Sequence, residues 1–132
     1  MNTSNTIFWV FKLVAAAIML QTLFFKFTAA PESVYIFSTL GVEPYGRIGT
    51  GIIELIASIL LLIPRTTFIG AMLGLGTMMG AILSHIFILG IAVQNDGGKL
   101  FVLGLITALC CATVAIKNKN QFTELMRIFN VG

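Results

Sequence analysis

The sequence predicts an all-α membrane protein, an antiparallel bundle of four transmembrane helices with a short interfacial helix between the first and second. Three observations carry that prediction. Of 132 residues, 58% are hydrophobic and only 10% charged, whereas a soluble domain carries about 25% charged residues. Mean hydropathy is +1.00, so the chain cannot clothe its surface with polar groups and takes lipid as its solvent. Four apolar runs approach the roughly 20 residues that a helix needs to cross a hydrocarbon core about 30 Å thick.

The first run covers about 7–27. No positive charge precedes Lys12, and Pro31 follows the one small-residue site, "TAA". The run is therefore read as a retained helix rather than a cleaved signal. The long connection "TAAPESVYIFSTLGVEPY" comes next. Pro31 suits a first helical turn and Gly41 the position just past a helix end. Val34, Ile36, Phe37 and Leu40 can lie against the bilayer, which predicts the short interfacial helix.

The second run covers 46–63, the third 67–93 and the fourth 99–116. Pro64-Arg65-Thr66 and "QNDGGK" separate them and are rich in turn formers. Such short turns make these three helices antiparallel neighbours. The tail, 118–132, is too short and polar to span. It is expected to form a small amphipathic surface helix through Phe122, Leu125, Met126 and Phe129. The whole chain, 1–132, reads as one domain.

The net charge of +3 is too small and dispersed for a nucleic-acid partner; it is read as membrane topology. Lys12, Arg65, Lys117, Lys119 and Arg127 fall on the side of the termini. Lys26, Arg47 and Lys99 fall on the other, beside Glu32, Glu43 and Asp96. This bias puts both termini in the cytoplasm. Cys110 and Cys111 are adjacent within an apolar run. They cannot form an ordinary disulfide with each other and are read as small buried apolar residues.

Lipid gives helices little hydrophobic reason to associate, so close packing relies on small residues. With 3.6 residues per turn, the second run places Arg47, Thr50, Gly51, Glu54, Ala57 and Ser58 on one stripe. Ile52, Ile56, Ile59, Leu60 and Ile63 lie opposite, toward lipid. The third run groups Gly70, Gly74, Thr77, Ala81, Ser84 and His85, with Gly76 and Gly80 extending the face sideways. The fourth offers Gly104, Thr107, Ala108, Cys111 and Ala115, and the first offers Lys12, Ala15, Met19, Thr22 and Lys26. Gly51, Gly70, Gly74, Gly80 and Gly104 are read as helix-packing glycines.

A carboxylate within a span is costly, by roughly 2.5–3.5 kcal/mol on insertion scales, so Glu54 is expected to face the bundle. At 1.5 Å per residue, Glu54 lies about 10 Å below the outer end of its helix, His85 about 12 Å below and Gln21 about 9 Å below. Thr107 comes out at a similar level. Lys26 and Arg47 form a second layer just above. Glu54 and His85 are the natural pair, with Arg47 or Lys26 available from the outer side, and together they predict a buried polar site that can handle a ligand or a proton. Gln21 fits less well, because on an ideal helix it points nearly opposite to Lys26. The bland alternative is that these groups fasten helices together by hydrogen bonds.

The stretches "LFFKF", "PESVYIFSTLGVEPYGRIGTGIIELIASILLLIP" and "GAMLGLGTMMGAILSHIFILG" resemble the DoxX family of small four-helix membrane proteins. The similarity runs from about Val10 to Ile116 and falls on Lys26, Gly46, Arg47, Gly51, Glu54, Leu55, Pro64, Gly70, Gly80 and His85. The resemblance implies a four-helix bundle in the bacterial inner membrane. Some relatives are subunits of thiosulfate:quinone oxidoreductase, and others accompany membrane redox, detoxification or maturation systems. The wider fold resembles vitamin K epoxide reductase, but no CxxC exists here to support disulfide chemistry.

Three functions compete at this point. The first is an accessory subunit of a membrane redox system that binds quinone or a small lipophilic ligand, His85 hydrogen-bonding a carbonyl and Glu54 handling the proton. One His cannot supply bis-His haem ligation, and two adjacent Cys cannot hold an iron–sulfur cluster within one chain. Electrons would then come from a membrane or soluble redox partner, and catalysis by the chain alone is not expected. The second is a non-catalytic scaffold or assembly factor. The third is a proton-coupled carrier of a small solute; four helices without an internal repeat argue against a monomeric transporter of the inverted-repeat kind, an objection that a homodimer would weaken.

Overall fold

The computed structural model describes residues 3–93 and 96–131. Among them are six α-helices: α1 (Thr3–Phe27), α2 (Pro31–Thr39), α3 (Tyr45–Leu62), α4 (Thr67–Ser84), α5 (Lys99–Lys117) and α6 (Asn120–Val131). Four segments are long and apolar enough to cross a membrane: Asn5–Phe27, Tyr45–Leu62, Pro64–Leu89 and Lys99–Lys117. The all-α multi-pass bundle expected from composition is thus the observed architecture.

The spanning helices form a ring. α1 packs on α3, α3 on α4, α4 on α5, and α5 closes back on α1. Small side chains fill its centre: Ala15, Ala16, Ala57, Ala71, Ala108 and Cys111, with Met19, Leu61 and Val114 between them. On α3 the predicted division holds. Arg47, Gly51, Glu54, Ala57 and Ser58 are buried, while Ile52, Ile56, Ile59 and Ile63 are exposed. Cys110 and Cys111 are free and buried.

Local chemistry explains where the helices stop. Ile63, which precedes Pro64, leaves the helical region (φ −87°, ψ 121°), as a residue before proline tends to do. The carbonyls stranded at the end of α3 are then taken up by hydroxyls. Thr66 donates to the Leu60 carbonyl at 2.9 Å, and Thr67 donates to those of Leu61 and Ile63 at 3.2 and 2.9 Å. This lets α4 return hard against α3. A Cβ on Gly70 would stand 2.7 Å from both the Leu60 carbonyl carbon and the Leu61 Cα.

The expected interfacial helix is present as α2, across the end of the bundle, touching α1, α3 and residues 85–89. Pro31 opens it. Gly41 (φ +79°) closes it with the paired bonds of a Schellman motif, Val42 N–H to the Phe37 carbonyl and Gly41 N–H to that of Ser38. The opposite end holds both termini. There the tail forms α6, and Gln121 ties it to the α3–α4 corner. The Gln121 Oε1 accepts from Phe68 N–H at 2.9 Å, and its Nε2 donates to the Pro64 carbonyl at 2.8 Å. Phe122 lies against Phe68 with ring centroids 5.8 Å apart. The Leu125 and Phe129 side chains expected on the same apolar face lie outside the described residues.

One boundary differs from expectation. Apolar residues continue to Val93, but the third span ends at Leu89. Its last turn, His85–Leu89, widens to a π turn, closed by Gly90 N–H bonding to the His85 carbonyl at 2.7 Å. Gly90 then turns the chain away at φ +84°, a conformation that L side chains rarely adopt. His85 therefore starts the final turn of its span, four residues from the end, and lies shallower than a helix running to 93 would put it.

Candidate functional site

Below α2, the helices line a half-open cavity of about 970 Å³, several of whose wall residues, Phe25, Ile53 and Met72 among them, are exposed. Its walls come from α1, α2, α3, α4 and α5, with Leu89, Asp96 and His85 closing one side. Apolar groups dominate, among them Ile18, Phe25, Ile36, Phe37, Leu40, Ile53, Met72 and Leu103. Polar groups gather on it from several elements: Thr22, Lys26, Glu32, Glu54, Ser84, His85, Asp96 and Lys99. Typical ligand sites are mainly apolar clefts of roughly 300–1,000 Å³ with a few convergent polar groups, and this cavity has that character.

Glu54 faces the bundle interior and is 2% exposed. Its partners are on α1. Lys26 Nζ lies 3.1 Å from Oε1 and 3.3 Å from Oε2, and the Thr22 hydroxyl donates to Oε2 at 3.0 Å. Lys26 also donates to Thr22 Oγ1 at 3.2 Å. Thr22 and Lys26 sit one turn apart on the same stripe of α1, so both reach the carboxylate across the α1–α3 contact. A buried charge is tolerable when it is paired and its remaining lone pairs are bonded.

The direct Glu54–His85 pair expected from depth is not formed. The His85 ring turns to its own chain end, where Nδ1 donates to the Gly90 carbonyl at 2.9 Å. Its edge meets Phe101, centroid to centroid 5.6 Å. Since a carbonyl only accepts, the Nδ1 proton is committed, and the neutral ring keeps Nε2 as an acceptor. Glu54 and His85 share the cavity as separate wall groups.

Arg47 also departs from the expected site. It is buried, but it does not line the cavity. Its Nε donates to Glu43 at 2.8 Å, one turn before it on the chain, and its Nη1 donates to the Lys26 carbonyl at the end of α1. A guanidinium on the last carbonyls of a helix is favoured by the helix dipole. Arg47 thus holds the end of α1 and positions the residue that pairs with Glu54.

Gln21 is exposed and contributes to the wall, but its side chain makes no hydrogen bond among the described residues. Its neighbour Thr22, read from sequence only as a packing residue, is the one that reaches Glu54. Thr107 is fully buried but donates back to the Leu103 carbonyl of its own helix at 2.9 Å, so it does not join the polar layer. Asp96, missed as a site residue, accepts from the N–H groups of Val93, Gly98 and Leu100 at 3.0, 2.8 and 3.3 Å. Burial alone would raise its carboxyl, but these three donors and the nearby His85 hold it below its ordinary value. The turn residues "DGG" are the signal for it.

The glycines divide into two groups. A Cβ on Gly74 would meet Cys111 Sγ at 2.9 Å, and one on Gly51 would meet the Phe27 ring at 2.8 Å. Gly70 meets the α3 backbone as described, and Gly104 makes ordinary contact with Ile82 at 3.9 Å. Gly80 is different. Nothing lies within 4 Å of its Cβ position; it is exposed and lines the cavity. It leaves room for contents rather than for a neighbouring helix. Thr77, Ala81 and Ser84, expected at a helix contact, share that wall.

Among the described residues no three His, Cys, Asp or Glu side chains gather as a metal-binding group. Comparison with curated proteins and with solved structures finds no match for this chain. A family model does match, that of the DoxX-like family, over residues 10–113, which run from within α1 to the last turn of α5. The chain is a multi-pass membrane protein that belongs to the DoxX-like family.

Proposed function

We propose that this DoxX-like protein is an accessory subunit of a membrane redox system, and that its cavity holds a quinone or a lipophilic molecule of similar size. The observation that carries the reading is the 970 Å³ cavity itself, apolar over most of its wall, with Lys26–Glu54 on one side and His85 on another. A quinone has an apolar ring system and two carbonyl acceptors, and it matches such a wall in kind. When bound, it would supply two-electron, two-proton chemistry; a partner would supply the electrons. The chain's own residues orient and protonate. Lys26 would reach a carbonyl only by giving up one of its bonds to Glu54 or Thr22, while neutral His85 offers Nε2 to a hydroxyl proton and, once protonated, donates from the same atom.

The excess of Lys and Arg at the end holding the termini, Lys12, Arg65, Lys117, Lys119 and Arg127, supports a cytoplasmic position for that end. The cavity then opens below the opposite face of a bacterial inner membrane.

A second reading, the scaffold, is favoured by one observation. The Lys26–Glu54–Thr22 cluster satisfies itself across the α1–α3 contact, which is what a fastener does. Gentle purification followed by lipid extraction, and titration with a short-chain ubiquinone analogue, separates the two. The cavity reading expects a co-purifying quinone or saturable binding. Protein that carries no quinone-like molecule and ignores added analogue would leave the scaffold.

A further inference from the structure

A second hollow, of about 160 Å³, opens between α1 and α5 at the end that holds the termini. It is lined by Asn5, Phe8, Trp9, Lys12, Lys117 and Asn118. We infer that this hollow is a binding site for a phosphate-type anion, supplied in the membrane by the headgroup of an anionic phospholipid.

Lys12 carries the inference. It is 8% exposed, yet it has no carboxylate and no hydrogen-bond acceptor among the described residues. Its ammonium lies over the Trp9 ring, 4.2 Å from the centroid. The Lys117 ammonium lies 5.3 Å from the Phe8 centroid, so a second cation faces the same hollow. An aromatic face recovers only part of what a buried ammonium loses on leaving water. Lys26, at the other end of α1, shows how the chain completes such a charge, with Glu54 at 3.1 Å. Among the described residues no such acid is placed beside Lys12. Glu32, Glu43, Glu54 and Asp96 all lie toward the α2 end, and Glu124, on α6, is exposed. The missing counter-charge is therefore expected from outside the chain.

The surroundings fit a lipid source. Trp side chains favour the level of the headgroups, and Trp9 forms one wall. Ile7, Val10, Leu13 and Val14 on the same stretch of α1 are exposed and give acyl chains a surface. Basic pockets between spanning helices are a known means of holding anionic headgroups. The site is separate from the cavity below α2 and does not depend on what that cavity holds.

The chain contains one Trp, so its fluorescence reports on this hollow. Full-length protein in a neutral detergent would be titrated with dihexanoyl phosphatidylglycerol, dihexanoyl phosphatidylcholine and inorganic phosphate. The expected result is saturable change with phosphatidylglycerol at least tenfold tighter than with phosphatidylcholine. Lys12→Gln should weaken it tenfold or more, Lys117→Gln several-fold, and Lys12→Arg little. Inorganic phosphate matching the lipid would support the same anion site with a soluble source. Binding that is equal for both lipids, or untouched in Lys12→Gln and Lys117→Gln alike, would overturn the inference. So would the absence of any saturable response. Lys12→Met gives an independent readout. It should raise the unfolding temperature in anion-free detergent and abolish stabilisation by phosphatidylglycerol; a variant still stabilised as the parent is would count against the site.

Discussion

His85 and Gly90 hold each other by two bonds. The ring Nδ1 donates to the Gly90 carbonyl at 2.9 Å, and Gly90 N–H donates to the His85 carbonyl at 2.7 Å. The clasp requires Gly90 at φ +84° and ψ 165°, where a residue with a Cβ is strained by about 1–3 kcal/mol. Gly90→Ala should therefore open the π turn and free the imidazole. Nitrogen-15 NMR of labelled His85 would show the proton distribution between Nδ1 and Nε2 shifting; an unchanged tautomer would refute the clasp.

Breaking the Lys26–Glu54 pair from one side leaves a buried charge alone. Glu54→Gln or Lys26→Met should each cost about 3–5 kcal/mol, while Lys26→Met with Glu54→Leu should recover much of that. Denaturant unfolding in detergent measures it. If the double variant refolds well but no longer takes up the quinone analogue, the pair serves ligand binding as well as packing. Full binding in the double variant would reduce it to a fastener.

Gly70 and Gly80 should respond in opposite ways. Gly70→Ala drives a methyl into the α3 backbone and should cost about 1–3 kcal/mol. Gly80→Ala meets nothing within 4 Å and should leave the unfolding temperature unchanged. The larger Gly80→Phe should fill the cavity, weakening analogue binding at least tenfold without unfolding the bundle. Thermal melts and the same titration give both answers.

Asp96 lies between spans, and its carboxyl is held below the ordinary value by the three backbone donors and His85 against the opposing effect of burial. A lowered folded value means the charged form is the stabilised one. Its contribution is complete above the usual carboxylate range and is lost as pH falls through the lowered value. Hydrogen exchange at Gly98 and Leu100 should thus be insensitive to Asp96 titration near neutrality and lose protection only in strong acid. Asp96→Ala should cost about 1–3 kcal/mol, the scale of leaving backbone donors without their acceptor.

Much of the architecture was legible because the physics behind it is local. Apolar runs marked the spans, Pro31 and Gly41 bracketed α2, and the 3.6-residue period separated Glu54 from the isoleucines of α3. The partner of Glu54 was not legible. Spacing gives a residue's face and depth, but not which neighbouring helix that face meets: α3 packs on both α1 and α4, and the acid finds its partners on α1. The early end of the third span was hidden too, because "HIFILGIAV" stays apolar while Gly90 turns the backbone. Thr107 misled for a different reason: a buried hydroxyl can satisfy itself on its own helix. Lys12 was visible as one count in a charge bias and as a member of the α1 stripe, but its solitude was not, since that depends on where the acids of other elements lie.

The contact between α1 and α3 has a bearing on biogenesis. Glu54 follows Lys26 by 28 residues, and both belong to spans that are made before α4 and α5. The acid and the base can meet while the rest of the chain is still being synthesised, so these two charges can enter lipid already paired. The later spans arrive carrying no carboxylate of their own and close the barrel-like ring around a charge already cancelled.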